Sequence, residues 1–310
     1  MIRESLKQRV LALKREKNAL ILAHYYQTPD ILEIADFVGD SLGLANQAAK
    51  SEADIIVFAG VHFMAETAKI LNPDRKVLLP DISAGCSLAE SCPSEVFEEF
   101  LTHHPDHVVI TYINSSARVK ALSDVICTSS NALQIVESYP KDQKIVFAPD
   151  RNLGAYINAV TGRDMVLWDG SCIVHEVFSN EKINGIMGQY PDALLVAHPE
   201  CESKILDVAD FIGSTSKMID YIQDSNAKEF IIATEAGILD SMKKVVPNKT
   251  LIPAPIFENN ACACSECPYM KVNSLQKLYD CLLNEFPAIE IDSSLREKAL
   301  APIQRMLTYS

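Results

Sequence analysis

Ala35-Asp36-Phe37-Val38-Gly39-Asp40-Ser41, which follows Ala23-His24-Tyr25-Tyr26, has two further counterparts in this chain. Ser123-Asp124-Val125-Ile126-Cys127-Thr128-Ser129 follows Thr111-Tyr112-Ile113-Asn114. Ala209-Asp210-Phe211-Ile212-Gly213-Ser214-Thr215 follows Ala197-His198-Pro199-Glu200. From 24 to 36, from 112 to 124 and from 198 to 210 the separation is 12 residues each time. An ungapped recurrence over three units reads as an internal repeat. It makes His24, Tyr112 and His198 equivalent, and likewise Ser41, Ser129 and Thr215. Three related units around one axis can aim all six at a single site. Cys86, Cys172 and Cys267 fall at or near the ends of the same units, 86 and 95 residues apart.

Outward from the repeat, short apolar runs alternate with helical patterns. Ala19–Ala23, Ile55–Ala59, Lys76–Leu79, Val108–Thr111, Lys144–Ala148, Met165–Trp168, Ala193–Ala197, Glu229–Ala233 and Thr250–Ile252 read as buried strands. Helix-length segments such as Gly43–Lys50, Met64–Leu71, Ala132–Glu137 and Lys217–Gln223 lie between them. Such alternation indicates an α/β fold with short parallel sheets covered on both faces. The pattern predicts strand–helix–strand–helix–strand in each of three homologous α/β/α units around a pseudo-threefold axis, with the active site at the centre. The units are placed at 1–86, with an N-terminal helix, at 87–172 and at 173–267. Residues 268–310 form C-terminal helices packing back on the body. Ligands in such folds bind beyond the carboxyl ends of strands, where His24, Tyr112 and His198 stand. A hydroxyl at a helix start is ordinarily a cap, but a helix start also offers free N–H groups to an anion.

The chain has 310 residues, 48% hydrophobic and 22% charged, with net charge −13 and no long Lys/Arg run. Nucleic acid and anionic membrane surfaces are therefore unlikely partners. No stretch of about 18 apolar residues reads as a membrane span. The charged, helix-like start does not read as a secretion signal. Nine cysteines without such a signal point to reduced thiols in the cytoplasm. Neither G-x-G-x-x-G nor a phosphate-binding G-x-x-x-x-G-K-[ST] loop is found.

For a single cysteine the commonest role is that of a small buried hydrophobe, and Cys92, Cys127, Cys201 and Cys281 are read so. Cys86 precedes Ser87, which with Glu90 forms the pattern of a capping box, and a cysteine at a helix start tends toward thiolate. Three thiolates converging on an axis can hold three irons of a [4Fe–4S] cluster, leaving the fourth iron free to act as a Lewis acid. Zinc is the alternative. Cys264-x-x-Cys267 alone suits zinc or a dithiol switch, but no second Cys/His pair completes the set.

The ordered set of short motifs resembles the quinolinate synthases of bacterial NAD biosynthesis, of the A type. Those motifs are Ala23-His24-Tyr25-Tyr26-Gln27, Gly39-Asp40-Ser41, Tyr112-Ile113-Asn114 and Thr128-Ser129-Ser130-Asn131. Pro149-Asp150-Arg151-Asn152-Leu153-Gly154, Cys172-Ile173-Val174-His175-Glu176 and His198-Pro199-Glu200-Cys201 follow. Gly213-Ser214-Thr215-Ser216 and Cys267-Pro268-Tyr269-Met270-Lys271 complete the set. The resemblance implies an oxygen-sensitive [4Fe–4S] cluster on Cys86, Cys172 and Cys267. Cys267 is preferred to Cys264 because it directly precedes Pro268-Tyr269-Met270. The implied reaction condenses iminoaspartate with dihydroxyacetone phosphate to quinolinate, releasing phosphate and water. It places substrate on His24, Ser41, Tyr112, Asn114, Ser129 and Thr215, with His175, His198 and Glu200 beside them. Tyr26 and Glu200 are the candidates for proton transfer, joined by His198. His175 is equally suited to supporting Cys172.

Two other readings compete: a hydro-lyase acting on a smaller hydroxy acid with a three-cysteine cluster, and a redox or iron sensor. The sensor would not need Tyr26, Tyr112, Asn114, His198 and Glu200 focused on an open iron. A transient contact with the enzyme that makes iminoaspartate would fit the instability of that substrate, but no residue marks it.

Overall fold

The structure, a computed structural model, describes residues 2–257 and 265–309. The first unit runs α1 (Ile2–Glu16), β1 (Ala19–His24), α2 (Pro29–Leu32), β2 (Phe37–Gly39), α3 (Ser41–Lys50), β3 (Ile55–Ala59), α4 (His62–Leu71) and β4 (Lys76–Leu78). The second runs α5 (Ser87–Glu90), α6 (Ser94–Thr102), β5 (Val108–Tyr112), α7 (Ala117–Ala121), β6 (Val125–Cys127), α8 (Ala132–Glu137), β7 (Ile145–Ala148), α9 (Arg151–Thr161) and β8 (Val166–Leu167). The third runs α10 (Ile173–Glu176), α11 (Asn180–Gln189), β9 (Leu194–Ala197), α12 (Ser203–Leu206), β10 (Phe211–Ile212), α13 (Thr215–Asp224), β11 (Glu229–Ala233), α14 (Ile238–Val245) and β12 (Thr250–Pro253). Three helices close the chain: α15 (Pro268–Lys271), α16 (Leu275–Asn284) and α17 (Ser293–Leu307).

Each unit holds one four-stranded sheet, and the strand order repeats: β2-β1-β3-β4, β6-β5-β7-β8, β10-β9-β11-β12. Every pairing between these strands is parallel. The central strands are almost wholly buried, as β-branched runs covered on both faces require. The observed unit has four strands, not the three that the pattern predicts. Its second strand is only two or three residues long, too short to carry a periodicity of its own.

The repeated aspartate has a structural duty. Asp36 Oδ2 accepts from the Ile21 N–H at 2.8 Å, Asp124 Oδ2 from Val109 N–H at 2.8 Å and Asp210 Oδ2 from Leu195 N–H at 2.8 Å. The same aspartates donate their own N–H groups back to Ile21, Val109 and Leu195. Each closes the path from the first strand to the second with a reciprocal pair of bonds, so the residue recurs because the fold does.

The C-terminal helices pack on the body. α16 lies on α1 and β3, and α17 crosses α4, α7 and β6. Ile303 and Met306 of α17 join one apolar core with Ile126 of the second unit and Ile70 of the first. Among the described residues no helix is long and apolar enough to cross a membrane.

Candidate active site

The first strand of each sheet delivers a polar side chain to the centre. His24 and Tyr112 end β1 and β5, and His198 directly follows β9. The two histidines are held alike: Tyr26 N–H donates to His24 Nδ1 at 3.2 Å, and Glu200 N–H to His198 Nδ1 at 3.4 Å. Burial lowers His24 to about 4 and His198 to about 3, so both rings are neutral near pH 7. With Nδ1 accepting, the ring proton of each sits on Nε2. His198 Nε2 is 3.2 Å from Ser129 Oγ.

The hydroxyls at the helix starts are not the caps. Asp40 caps α3 through Gly43 N–H at 2.9 Å, and Ser214 caps α13. Ser41 and Thr215 are the first residues of their helices, free of capping and on the wall of the central cavity. In the second unit Asn131 Oδ1 turns back to the Thr128 N–H at 2.8 Å, which sets Ser129 in a turn two residues before the cap position. Asp40 also ties the units together. Its Oδ2 accepts from Ser130 Oγ at 2.9 Å and Ser216 Oγ at 2.8 Å, one residue from each of the other two units.

Glu200 is the hub of a second buried network. Its Oε1 accepts from the Tyr112 hydroxyl at 2.5 Å and lies 3.5 Å from His198 Nδ1, and its Oε2 lies 3.2 Å from His175 Nδ1. Burial opposes its charge, but His175, His198 and Tyr112 outweigh burial and hold the carboxyl below the usual range. Asp150 goes the other way. Burial, and after it the nearby Glu200 charge, push its carboxyl well up. Tyr26 and Tyr112 are pushed above the ordinary phenol range, by burial first and by Glu200 next among charges. His175 Nε2 lies 3.0 Å from Thr234 Oγ1, and Thr234 Oγ1 lies 2.9 Å from the Tyr26 hydroxyl.

The three cysteine turns are copies of one another. His62 N–H donates to Ala84 O, Arg151 N–H to Gly170 O and Ala236 N–H to Ser265 O. Each acceptor lies two residues before Cys86, Cys172 or Cys267. Each cysteine then occupies the cap position of a four-residue helix, α5, α10 or α15. Its carbonyl accepts from the fourth residue on: Glu90, Glu176 or Lys271. Gly170 is required for the approach, since a Cβ there would stand 2.5 Å from Pro149 O. This equivalence fits Cys267 as the third member. Cys262 and Cys264, and with them the Cys264-x-x-Cys267 switch, lie outside the described residues.

Two sequence expectations fail here. Ser87 does not cap α5; it is the first helical residue, with its Oγ 3.5 Å from the Ile173 N–H of the next cysteine turn. Nor does the helix start make Cys86 a ready thiolate. Burial pushes its thiol up to about 12 against the amides of Leu88 and Ala89, and Cys267 adds to the rise. Cys172 and Cys267 are likewise raised, by burial first.

All thirteen side chains singled out from the sequence line one cavity, together with Asp40, Thr128, Phe63, Met64, Val174 and Met270. Among the described residues no lysine or arginine lines it. The starts of α3 and α13 supply N–H groups there instead. Asn114 Oδ1 is buried with no hydrogen-bond partner, the condition of a group that waits for a ligand, and His175 Nδ1 and Glu200 Oε2 have only their 3.2 Å approach to each other. Cys172, His175 and Glu200 offer ligand atoms within 4.8 Å of one another, a group able to hold a metal. Sequence reading missed Thr234, Asp150 as the partner of Glu200, and Glu235. Glu235 is fully buried; its Oε1 accepts from the Cys267 N–H at 3.0 Å and is 3.1 Å from Lys271 Nζ. Thr234 and Glu235 follow β11, where the corresponding residues in the other units are Gly60 and Val61, Pro149 and Asp150. The repeat has diverged there and gives no signal.

The family model described as "Quinolinate synthetase A protein" matches residues 8–308. A protein of Synechococcus sp. named quinolinate synthase is 58% identical over 301 residues, covering 97% of this chain and 94% of its own length. Namesakes from Microcystis aeruginosa and Nostoc punctiforme are each 60% identical, over 298 and 301 residues, covering 96% and 97% of this chain and 93% and 92% of their own lengths. With matches of that extent running through all three units and every cavity-lining motif, the chain belongs to the quinolinate synthetase A family of enzymes.

Proposed function

We propose that the cavity condenses iminoaspartate with dihydroxyacetone phosphate to quinolinate, releasing phosphate and water, as a step of NAD biosynthesis in the cytoplasm. The observation that carries this is the convergence of three free cysteines, two neutral histidines and one ionised glutamate on a single buried cavity. Three soft donors on equivalent turns fit a [4Fe–4S] cluster held by Cys86, Cys172 and Cys267. Cys86 is coupled electrically to both of the others. When bound, such a cluster supplies a Lewis-acidic iron for a substrate oxygen. His175 and Glu200 are left to the substrate.

The remaining work belongs to the chain. Ser41 and Thr215, at helix starts, hold carboxylate or phosphate oxygens with the N–H groups of α3 and α13. His24 donates from Nε2, and Asn114 accepts or donates through its unpaired amide. Glu200 is ionised and takes protons, and Tyr26, kept neutral by burial, gives them. Phe63, Met64, Val174 and Met270 keep the cavity apolar, which strengthens each of these contacts. A transient contact with the enzyme that makes iminoaspartate would shorten the life of a labile substrate in water.

The test is quinolinate formation by anaerobically cluster-loaded protein given dihydroxyacetone phosphate and freshly generated iminoaspartate. Product that is lost on exposure to air is the expected result. No product from protein with full iron and sulfide rejects the reading.

A further inference from the structure

Among the described residues Lys120 is the only lysine or arginine of the buried interior, with none of its surface exposed. It belongs to the short helix α7, and its ammonium donates to the carbonyl of Ser115, itself fully buried. The same ammonium stands over the Phe63 ring, 5.3 Å from its centre, and Phe63 is a wall of the central cavity. A buried ammonium is costly unless an anion faces it. Burial lowers Lys120 to about 8, and the two groups that oppose the fall are Glu66 and Cys86. Glu66 is engaged elsewhere: its Oε2 accepts from the Ala117 N–H at 3.0 Å and lies 3.8 Å from His62 Nδ1. Cys86 in the empty chain is a neutral thiol, because burial raises it. It becomes an anion only when it binds metal. Three thiolates leave a [4Fe–4S] centre anionic as a whole.

We propose that Lys120 is the counter-charge of the cluster: its ammonium, held behind the Phe63 ring, retains the anionic centre and sets the potential of its iron. The proposal rests on the reading that Cys86, Cys172 and Cys267 hold that cluster. The placing of the charge has a purpose. A lysine on the cavity wall would compete with the helix starts for the substrate's carboxylates and phosphate. Behind Phe63 it acts through its field and offers the substrate no N–H. The ring presents its electron-rich face to the ammonium, and a positive charge next to the site favours the more reduced iron.

A plainer role is available, since the bond to Ser115 O also ties down the turn that carries Asn114. The two roles differ in what cluster loading adds to stability. Urea midpoints of the full chain are taken without metal and after anaerobic reconstitution with iron and sulfide. A tether contributes alike to both states, so its loss leaves the gain on loading unchanged. A counter-charge is unfavourable in the empty chain and favourable in the loaded one. Lys120→Met and Lys120→Gln should therefore both gain less on loading than wild type. Glutamine can still donate to Ser115 O, so its agreement with methionine assigns the effect to charge. Both variants should release iron to a chelator about tenfold faster, the effect of about 1.4 kcal/mol. Their midpoint potential for one-electron reduction should fall, because a lost cation disfavours the added electron.

Variants that gain as much as wild type, with an unmoved potential, overturn the proposal. So does an effect confined to KM, which would assign the charge to the substrate. Glu66→Gln covers the case in which neither Lys120 variant folds. With its other anion removed, Lys120 should make loading gain more than in wild type, and an unchanged gain overturns the proposal. Wild-type protein that takes up no iron and sulfide overturns the cluster reading and this inference with it. Normal uptake with equal gains overturns this inference alone.

Discussion

Replacing Tyr112 with phenylalanine removes one atom, and that atom donates to Glu200 Oε1 at 2.5 Å inside the protein. Tyr112 is 4% exposed and Glu200 2%, so the bond is made away from bulk water. His198 Nδ1 lies 3.5 Å from Oε1, and that nitrogen already accepts from the Glu200 N–H. A hydrogen bond to a charged group is worth about 1.5–3 kcal/mol. One pKa unit is about 1.36 kcal/mol, so the Glu200 carboxyl should rise by about one to two units. The sign follows from the charge. The phenol stabilises the ionised form, and its loss makes the proton harder to remove. A depressed carboxyl contributes stability above its unfolded value that is lost as pH falls through its folded value. Tyr112→Phe should therefore be less stable to urea by about 1.5–3 kcal/mol at pH 7. The acid limb of its kcat/KM profile should move up by about one to two units. In a Glu200→Gln background the same change should cost much less. An unmoved acid limb, or equal costs in both backgrounds, would refute the assignment of Tyr112 as the donor that keeps Glu200 charged.

The buried neutral histidines make a second test. With folded values of about 4 and 3 against 6.5 unfolded, His24 and His198 bind protons in the unfolded chain first. Each should withdraw roughly 2 kcal/mol of stability between pH 7 and pH 5. His24→Asn should lose about that much less than wild type over the same interval, measured by urea unfolding; an identical pH dependence would show that His24 is not buried neutral. Asp36→Ala, Asp124→Ala and Asp210→Ala should each destabilise by about 1–3 kcal/mol, since they break the same bond in three places, and thermal melts that differ severalfold among them would break the equivalence. Cys267→Ser should lose iron and sulfide with Cys86→Ser and Cys172→Ser, while Cys264→Ser keeps them. Retained iron in Cys267→Ser would move the third ligand.

How far the residues alone reach depends on what each level repeats. Central strands such as Ile55–Ala59 are legible because burial on both faces demands an unbroken apolar run. The cavity wall is legible because a strand tip of one copy, His24, predicts the tips of the others. The cap of α3 stayed open in the sequence because Gly39-Asp40-Ser41 offers two polar residues side by side, and only the backbone decides that Asp40 turns inward to Gly43. Thr234 and Asp150 escaped because their partners, Tyr26 and Glu200, belong to other units. Proximity across units leaves no periodicity in a sequence. The opposite shifts of Glu200, downward, and Asp150, upward, follow from burial and neighbouring groups that no spacing records.

The equal closure of the three cysteine turns bears on ancestry. A single copy of the unit, closing on two others about a threefold axis, would bring three thiols together by symmetry alone. Joining the copies into one chain removes the requirement that they stay alike. The second residue after the third strand could then become Val61 in one, Asp150 in the next and Glu235 in the last, and His24, Tyr112 and His198 could part in the same way. A symmetric assembly offers a substrate three identical faces, whereas the fused chain can grip an unsymmetrical molecule by its different ends.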